Sequence, residues 1–137
     1  MKTLVFSFAI LLLATSCGDV YYIQPVTPDP PYDPRDLFTG SYNVDEYNGS
    51  DGRYSYSLSV YKDNGSLVLS NLFDAGILVY ASVHDNRMYI ATQYVDGYEI
   101  SGSGSTDGST MVINYYITDN YQPGSPTIYC QAIAYFY

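Results

Sequence analysis

From Phe38 to the C-terminus the chain alternates apolar and polar residues with period two, in short runs. Successive side chains of a strand point to opposite faces, so each run reads as a β-strand with one dry face. Phe38, Gly40, Tyr42 and Val44 set the first register; Tyr54, Tyr56, Leu58 and Val60 set the second. Leu67 and Leu69 follow, then Ile77, Val79, Ala81 and Val83, then Met88 and Ile90. Tyr98 and Ile100, the run Met111 to Ile117, and the run Ile128 to Phe136 complete the set. The pattern predicts about eight strands and leaves no room for long helices.

The breaks carry turn chemistry. Asn48-Gly49, Asp51-Gly52, Asn64-Gly65, Asp96-Gly97 and Asp107-Gly108 are Asx-Gly pairs, with Asp85-Asn86 a weaker member. Such pairs accept the positive φ of tight hairpin turns. Short links force antiparallel neighbours and exclude crossover helices. The expectation is an all-β fold, an antiparallel meander of about eight strands closing into a small barrel, because open edges invite aggregation. Gly102 and Gly104, in ISGSGSTDG, are expected at a bulge or a barrel corner.

Composition narrows the function classes. Fourteen acids face five Lys and Arg, a formal charge of −9, which argues against a nucleic-acid partner. One His and two Cys exclude a His-rich zinc centre and a multi-disulfide scaffold.

The N-terminus sets an address. Met1-Lys2-Thr3 is a short positive start, and Leu4 to Ala14 is an apolar run of signal-peptide length, short for a membrane span. Ala14-Thr15-Ser16-Cys17 resembles the lipobox of bacterial lipoproteins, in which the Cys is diacylated and becomes the new N-terminus. Ala14 stands where that motif usually has Leu. Residues 1–16 are therefore read as a lipoprotein signal peptide and Cys17 as the lipidated residue; Ala14-Thr15-Ser16 also suits the ordinary signal peptidase, which would cut the same bond and leave Cys17 without lipid. Residues 17–36 hold Pro25, Pro28, Pro30, Pro31 and Pro34, and read as a tether without helix or central strand. Extended as polyproline II, it would span roughly 45–60 Å. Residues 37–137 are the barrel domain.

FTGSYNV (Phe38 to Val44), LVLSNL (Leu67 to Leu72) and QYVDGYEISGSGSTDG (Gln93 to Gly108), behind a lipobox and a proline-rich spacer, resemble small outer-membrane lipoproteins of Bacteroidota. Those carry a lipocalin-like (calycin-like) barrel. Gly40-Ser41-Tyr42 is similar to the Gly-x-Trp element of the first lipocalin strand, with Tyr in the Trp place. The chain lacks that Trp and the lipocalin Arg near the last strand, so ligand binding of the retinoid or haem kind is not implied. The resemblance implies a fold and an outer-membrane address.

No residue pattern points to catalysis, a metal or a cofactor. His84-Asp85 are sequence neighbours expected on opposite faces, with His84 an exposed turn residue. Gly102-Ser103-Gly104 is too short for a nucleophile elbow. Cys130 reads as a small buried hydrophobe. Asp45-Glu46 split across faces, and DEYNGSD (Asp45 to Asp51) does not match a calcium-loop spacing.

Tyrosine remains, with 18 in the chain. Tyr42, Tyr54, Tyr56 and Tyr115 fall on the apolar register and are expected in the core. Leu58, Met88, Met111 and Phe136 join Tyr42, Tyr54 and Tyr115 as expected lumen fillers. Tyr47, Tyr61, Tyr80, Tyr89, Tyr116, Tyr129, Tyr135 and Tyr137 fall on the other register. The first seven of these are the candidate partner surface, since exposed Tyr is enriched at protein interfaces; cross-strand pairing would also account for them. The functional expectation is a non-catalytic, lipid-anchored envelope barrel, a binding or accessory subunit with a protein partner in the envelope. Its alternatives are a small-ligand carrier of lipocalin type and a small transmembrane barrel.

Overall fold

Each Asx-containing break ends a strand. The structure, a computed structural model, describes residues 29–49 and 52–137. Cys17, the signal segment and most of the tether lie outside the described residues. The barrel unit runs from Pro31 to Tyr137. Its strands are β1 (Gly40–Asn48), β2 (Arg53–Asp63), β3 (Ser66–Leu72), β4 (Ile77–His84), β5 (Arg87–Val95), β6 (Tyr98–Thr106), β7 (Thr110–Asp119) and β8 (Ile128–Phe136). They form one antiparallel meander that closes when β1 pairs with β8, Val44 opposite Ala134 and Glu46 opposite Ala132. The β5–β6 turn follows the expected chemistry: Asp96 and Gly97 take φ of 44° and 81°.

The inward register holds the core. Leu58, Leu67, Leu69, Val79, Ile90, Ile100, Ile113 and Tyr115 have essentially no exposure. Serines 55, 57 and 59 of β2 and Ser103 and Ser105 of β6 face water. Burying each large aliphatic side chain stabilises the fold by about 1.5–3 kcal/mol.

Three expectations need correction. Gly102 and Gly104 make neither bulge nor corner. They sit in the regular β6–β7 ladder, opposite Tyr115 and Ile113. Both are inward positions emptied of side chain so that neighbours can fill the lumen: a Cβ on Gly102 would lie 2.5 Å from the Cβ of Tyr115. The register shifts fall instead in β3, between Ser70 and Leu72, and in β5, where Ile90 pairs with Gly102 and Gln93 with Ile100, leaving one extra residue in each strand. Strand β6 runs nine residues, Tyr98–Thr106, through both glycines.

Second, Tyr54 and Phe136 are not core. Both keep the inward parity but lie at strand ends, Tyr54 at the mouth and Phe136 at the opposite end, and are 49% and 57% exposed. Phe136 lies edge-on to Tyr42, ring centroids 5.6 Å apart.

Third, the last residues of the expected tether belong to the barrel. Pro34–Leu37 form a 3-10 turn, with Asp33 as N-cap accepting from the Arg35 amide and Pro34 in the first turn, where no donor is needed. The Arg35 guanidinium pairs with Asp33 and donates to the carbonyls of Asn64 and Ser66 on the β2–β3 hairpin. Lys62 of β2 pairs with Asp36. This turn delivers Phe38, fully buried, into one end of the barrel, where its carbonyl accepts from the Tyr42 hydroxyl at 2.9 Å. The Arg35 carbonyl closes the turn by accepting the Phe38 amide. That end is plugged.

Candidate functional site

At the opposite end, the last residues of β1, the first of β2 and β8, and the β3–β4 connection line a cavity of about 440 Å³. Glu46, Asn48, Tyr54, Tyr56, Phe73 and Asp74 line it. Below it Tyr115, Leu58, Met88 and Met111 are buried, and Ala132 and Ala134 supply the small side chains of β8. The middle of the barrel is packed; a second hollow, of about 550 Å³, lies at the other end beside the β4–β5 turn, lined by Val83, His84, Met88 and Gly104 among others.

Glu46 is the central group. The alternation that turns Tyr42 and Val44 inward carries on through Glu46 and Asn48, so a carboxyl and a carboxamide enter a lumen otherwise dry. Glu46 is 2% exposed. Its Oε2 accepts from the hydroxyls of Tyr56, at 2.6 Å, and Tyr115, at 2.5 Å. The Tyr56 hydroxyl in turn accepts the Phe73 amide, at 3.2 Å. Burial pushes the Glu46 carboxyl above its ordinary pKa, against the two phenol donors that favour its charged form. Burial, and then the charge of Glu46, push the Cys130 thiol up to about 12, so it stays protonated at neutral pH.

Asn48 differs from Glu46. Its Oδ1 is buried and has no hydrogen-bond partner among the described residues. An acceptor left so costs about 1–3 kcal/mol. The β3–β4 connection beside it is held in unusual backbone. Asn71, Phe73 and Asp74 all take positive φ, 75°, 62° and 52°. Asn and Asp tolerate that region; Phe does not readily. The Asn71 carboxamide compensates by donating to the Ser57 carbonyl and Asp74 and accepting the Gly76 amide. The loop thereby fixes Phe73 at the mouth.

The sequence reading ended the first apolar run at Val44 and missed both polar lumen residues. Two more steps of the same alternation would have found them.

The other candidates are placed as follows. Asp45 faces out, paired with Arg53 and accepting from Ser55, so Asp45 and Glu46 do split across the wall. His84 and Asp85 do meet, against expectation: Nδ1 lies 3.2 Å from Oδ2, because Asp85 is in the turn at φ 52° rather than in the strand. Both side chains are more than four-fifths exposed, so the pair stands in water. Cys130 is buried against Tyr115, which it opposes in the β7–β8 ladder.

The seven surface tyrosines are all exposed, but they occupy two walls. Tyr47, Tyr116, Tyr129 and Tyr135 lie on the adjacent strands β1, β7 and β8. Tyr116 and Tyr129 are direct cross-strand partners with rings 5.4 Å apart. The Tyr129 hydroxyl and Gln131 both donate to Asn114 Oδ1. Tyr61, Tyr80 and Tyr89 lie on β2, β4 and β5. Tyr61 and Tyr80 flank Val68 on β3 in the ladder, and Val68, although outward, is fully buried. The two rings cover it. In an eight-strand ring β8 and β4 are opposite, so one partner footprint cannot span both walls.

The chain matches no protein-family model and none of the curated proteins. Among solved structures, that of EF1p2_mFAP2b bound to DFHBI matches with a TM-score of 0.52 at 14% identity, covering 74% of this chain and 95% of that one. The likeness is one of fold: an eight-strand antiparallel barrel.

Proposed function

We propose that this protein is a lipid-anchored, non-catalytic binding subunit of a Gram-negative envelope. Cys17 carries the lipid, the proline-rich segment spaces the barrel from the outer membrane, and the wall formed by β7, β8 and β1 docks a protein partner. The resemblance to small outer-membrane lipoproteins of Bacteroidota, in the lipobox, the proline-rich spacer and the motifs at 38–44, 67–72 and 93–108, supports this reading.

One observation carries the docking claim: four exposed tyrosines, Tyr47, Tyr116, Tyr129 and Tyr135, gather on three hydrogen-bonded neighbouring strands. Tyrosine gives contact area at low entropic cost, and a cluster of this size exceeds what scattered surface aromatics require. Tyr61 and Tyr80 have a local structural duty over Val68, which leaves the β7–β8–β1 wall as the better surface. Inward aliphatics with serine-rich outer strands also favour an anchored domain over a transmembrane barrel, whose apolar band faces out.

The test is capture from detergent-solubilised membranes. A stoichiometric partner is expected with wild type and with Tyr89→Ser, and is lost with Tyr116→Ser/Tyr129→Ser/Tyr135→Ser. Recovery of monomer alone would overturn the docking claim. Cys17→Ala is expected to leave the membrane pellet; retention there would favour the transmembrane reading.

A second reading, the small-ligand carrier, draws on the mouth cavity. The packed middle of the barrel keeps any ligand out of the centre, and the mouth cavity is the hollow that carries a buried acid and an unpartnered acceptor.

A further inference from the structure

We propose that the mouth cavity binds a small organic cation, an ammonium or guanidinium group on an apolar body. The inference is independent of the tyrosine wall and of the lipid anchor.

The chemistry of the lining selects the charge. Glu46 and Asp74 line the cavity, and among the described residues no Lys or Arg does. Asn48 presents a buried Oδ1 with no donor among the described residues. An acceptor in that state calls for an N–H or O–H from whatever occupies the space. Water could serve Asn48, but only a cation would also offset the cost of ionising the buried Glu46 carboxyl. An ammonium or guanidinium answers both, with several donors and one positive charge. An anion would meet two carboxylates.

The walls select the rest of the ligand. Tyr54, Tyr56 and Phe73 put aromatic side chains around the acceptors. Aromatic faces attract cations and bury apolar bodies. The volume, about 440 Å³, falls within the range of small-molecule sites. A metal ion fits less well: no three His, Cys, Asp or Glu side chains converge among the described residues.

The site is also preorganised. Tyr56 and Tyr115 both bond Oε2 of Glu46, which fixes the carboxylate plane. The left-handed residues of the β3–β4 connection hold Phe73 in place, tied to Tyr56 through its amide. Phe73, a residue that rarely adopts positive φ, is held there at the edge of the cavity, as a strained residue in a ligand clamp is.

Calorimetry on the full-length protein in detergent tests this with three isosteric probes: benzylammonium, benzyl alcohol and benzoate. Benzylammonium should bind, the alcohol at least tenfold more weakly, and benzoate not at all. Glu46→Gln should weaken benzylammonium at least tenfold. Because that variant disturbs two buried hydroxyls, Asn48→Leu serves as a second probe. It leaves the Glu46 bonds intact and should weaken binding severalfold with an unchanged circular dichroism spectrum. An Nα-acetyl-lysine amide separates the two sources of such a group: preference for it identifies a partner's lysine, preference for benzylammonium a free amine. Equal binding of the alcohol, binding of benzoate, or failure of every cationic probe to bind at millimolar concentration would overturn the proposal.

Discussion

Gly102→Val is expected to abolish the cooperative unfolding transition of the barrel. A Cβ at this position would lie 2.5 Å from the Asn114 carbonyl oxygen, 2.5 Å from the Tyr115 Cβ and 2.8 Å from the Tyr115 Cα. These atoms belong to the β7 backbone or its immediate attachment, and β7 is hydrogen-bonded on both sides, to β6 and β8. They cannot give way as a flexible side chain would. Overpacking a core costs about 1–3 kcal/mol where neighbours can shift, and more where they cannot. Valine adds two methyl groups to that. Gly104 offers a milder case: its nearest neighbour is the Met88 Cε at 2.5 Å, the end of a pliable side chain, and its one close backbone atom, the Val112 carbonyl oxygen, is at 2.9 Å, so Gly104→Ala should cost less. Gly65→Ala is the control, since no atom lies within 4 Å of its added Cβ; it should stay within about 0.5 kcal/mol of wild type. Urea titration followed by circular dichroism reads all three. A Gly102→Val protein with wild-type midpoint would show that β6 and β7 do not approach as described.

Tyr115→Ala comes next in size. Tyr115 is the largest side chain with no exposure, and it spans the space that Gly102 leaves. Removing it should cost about 3–5 kcal/mol through the cavity left behind. For a domain of this size that is a fall in Tm of roughly 15–30 °C. Tyr115→Phe keeps the ring and removes only the hydroxyl that donates to Glu46, so about 1–3 kcal/mol is expected. The gap between the two variants separates packing from the hydrogen bond. Calorimetric melting measures both. If Tyr115→Ala melted within a few degrees of wild type, the packed lumen would be wrong.

These residues also mark how far the sequence could be read. The strand positions and the meander were legible because period two is a local property and Asx-Gly pairs have one main use. Closure was legible as an expectation, since eight short strands leave edges that must be hidden. Gly102 and Gly104 were misplaced because a glycine in a strand has two meanings, a bend or a vacancy, and only the register against Tyr115 decides between them. Tyr54 and Phe136 were misplaced because parity says which way a side chain points but not where the barrel ends. The cup's chemistry was hidden for a different reason. Glu46 and Asn48 interrupt the apolar run by type while continuing it by position, and a reading that follows hydrophobicity stops one residue pair too soon. The plugging turn at Pro34–Leu37 was hidden because its anchor, Arg35 on the Asn64 carbonyl, is a contact between residues far apart in the chain.

The claim on which the rest depends is that the sheet shuts on itself and keeps its inward register dry up to the Glu46 level. Through-space proton NMR between the first and last strands measures it directly. Cross-strand contacts are predicted for Val44 with Ala134 and for Glu46 with Ala132. Contacts of Val44 and Glu46 with β2 alone, and none with β8, would contradict it.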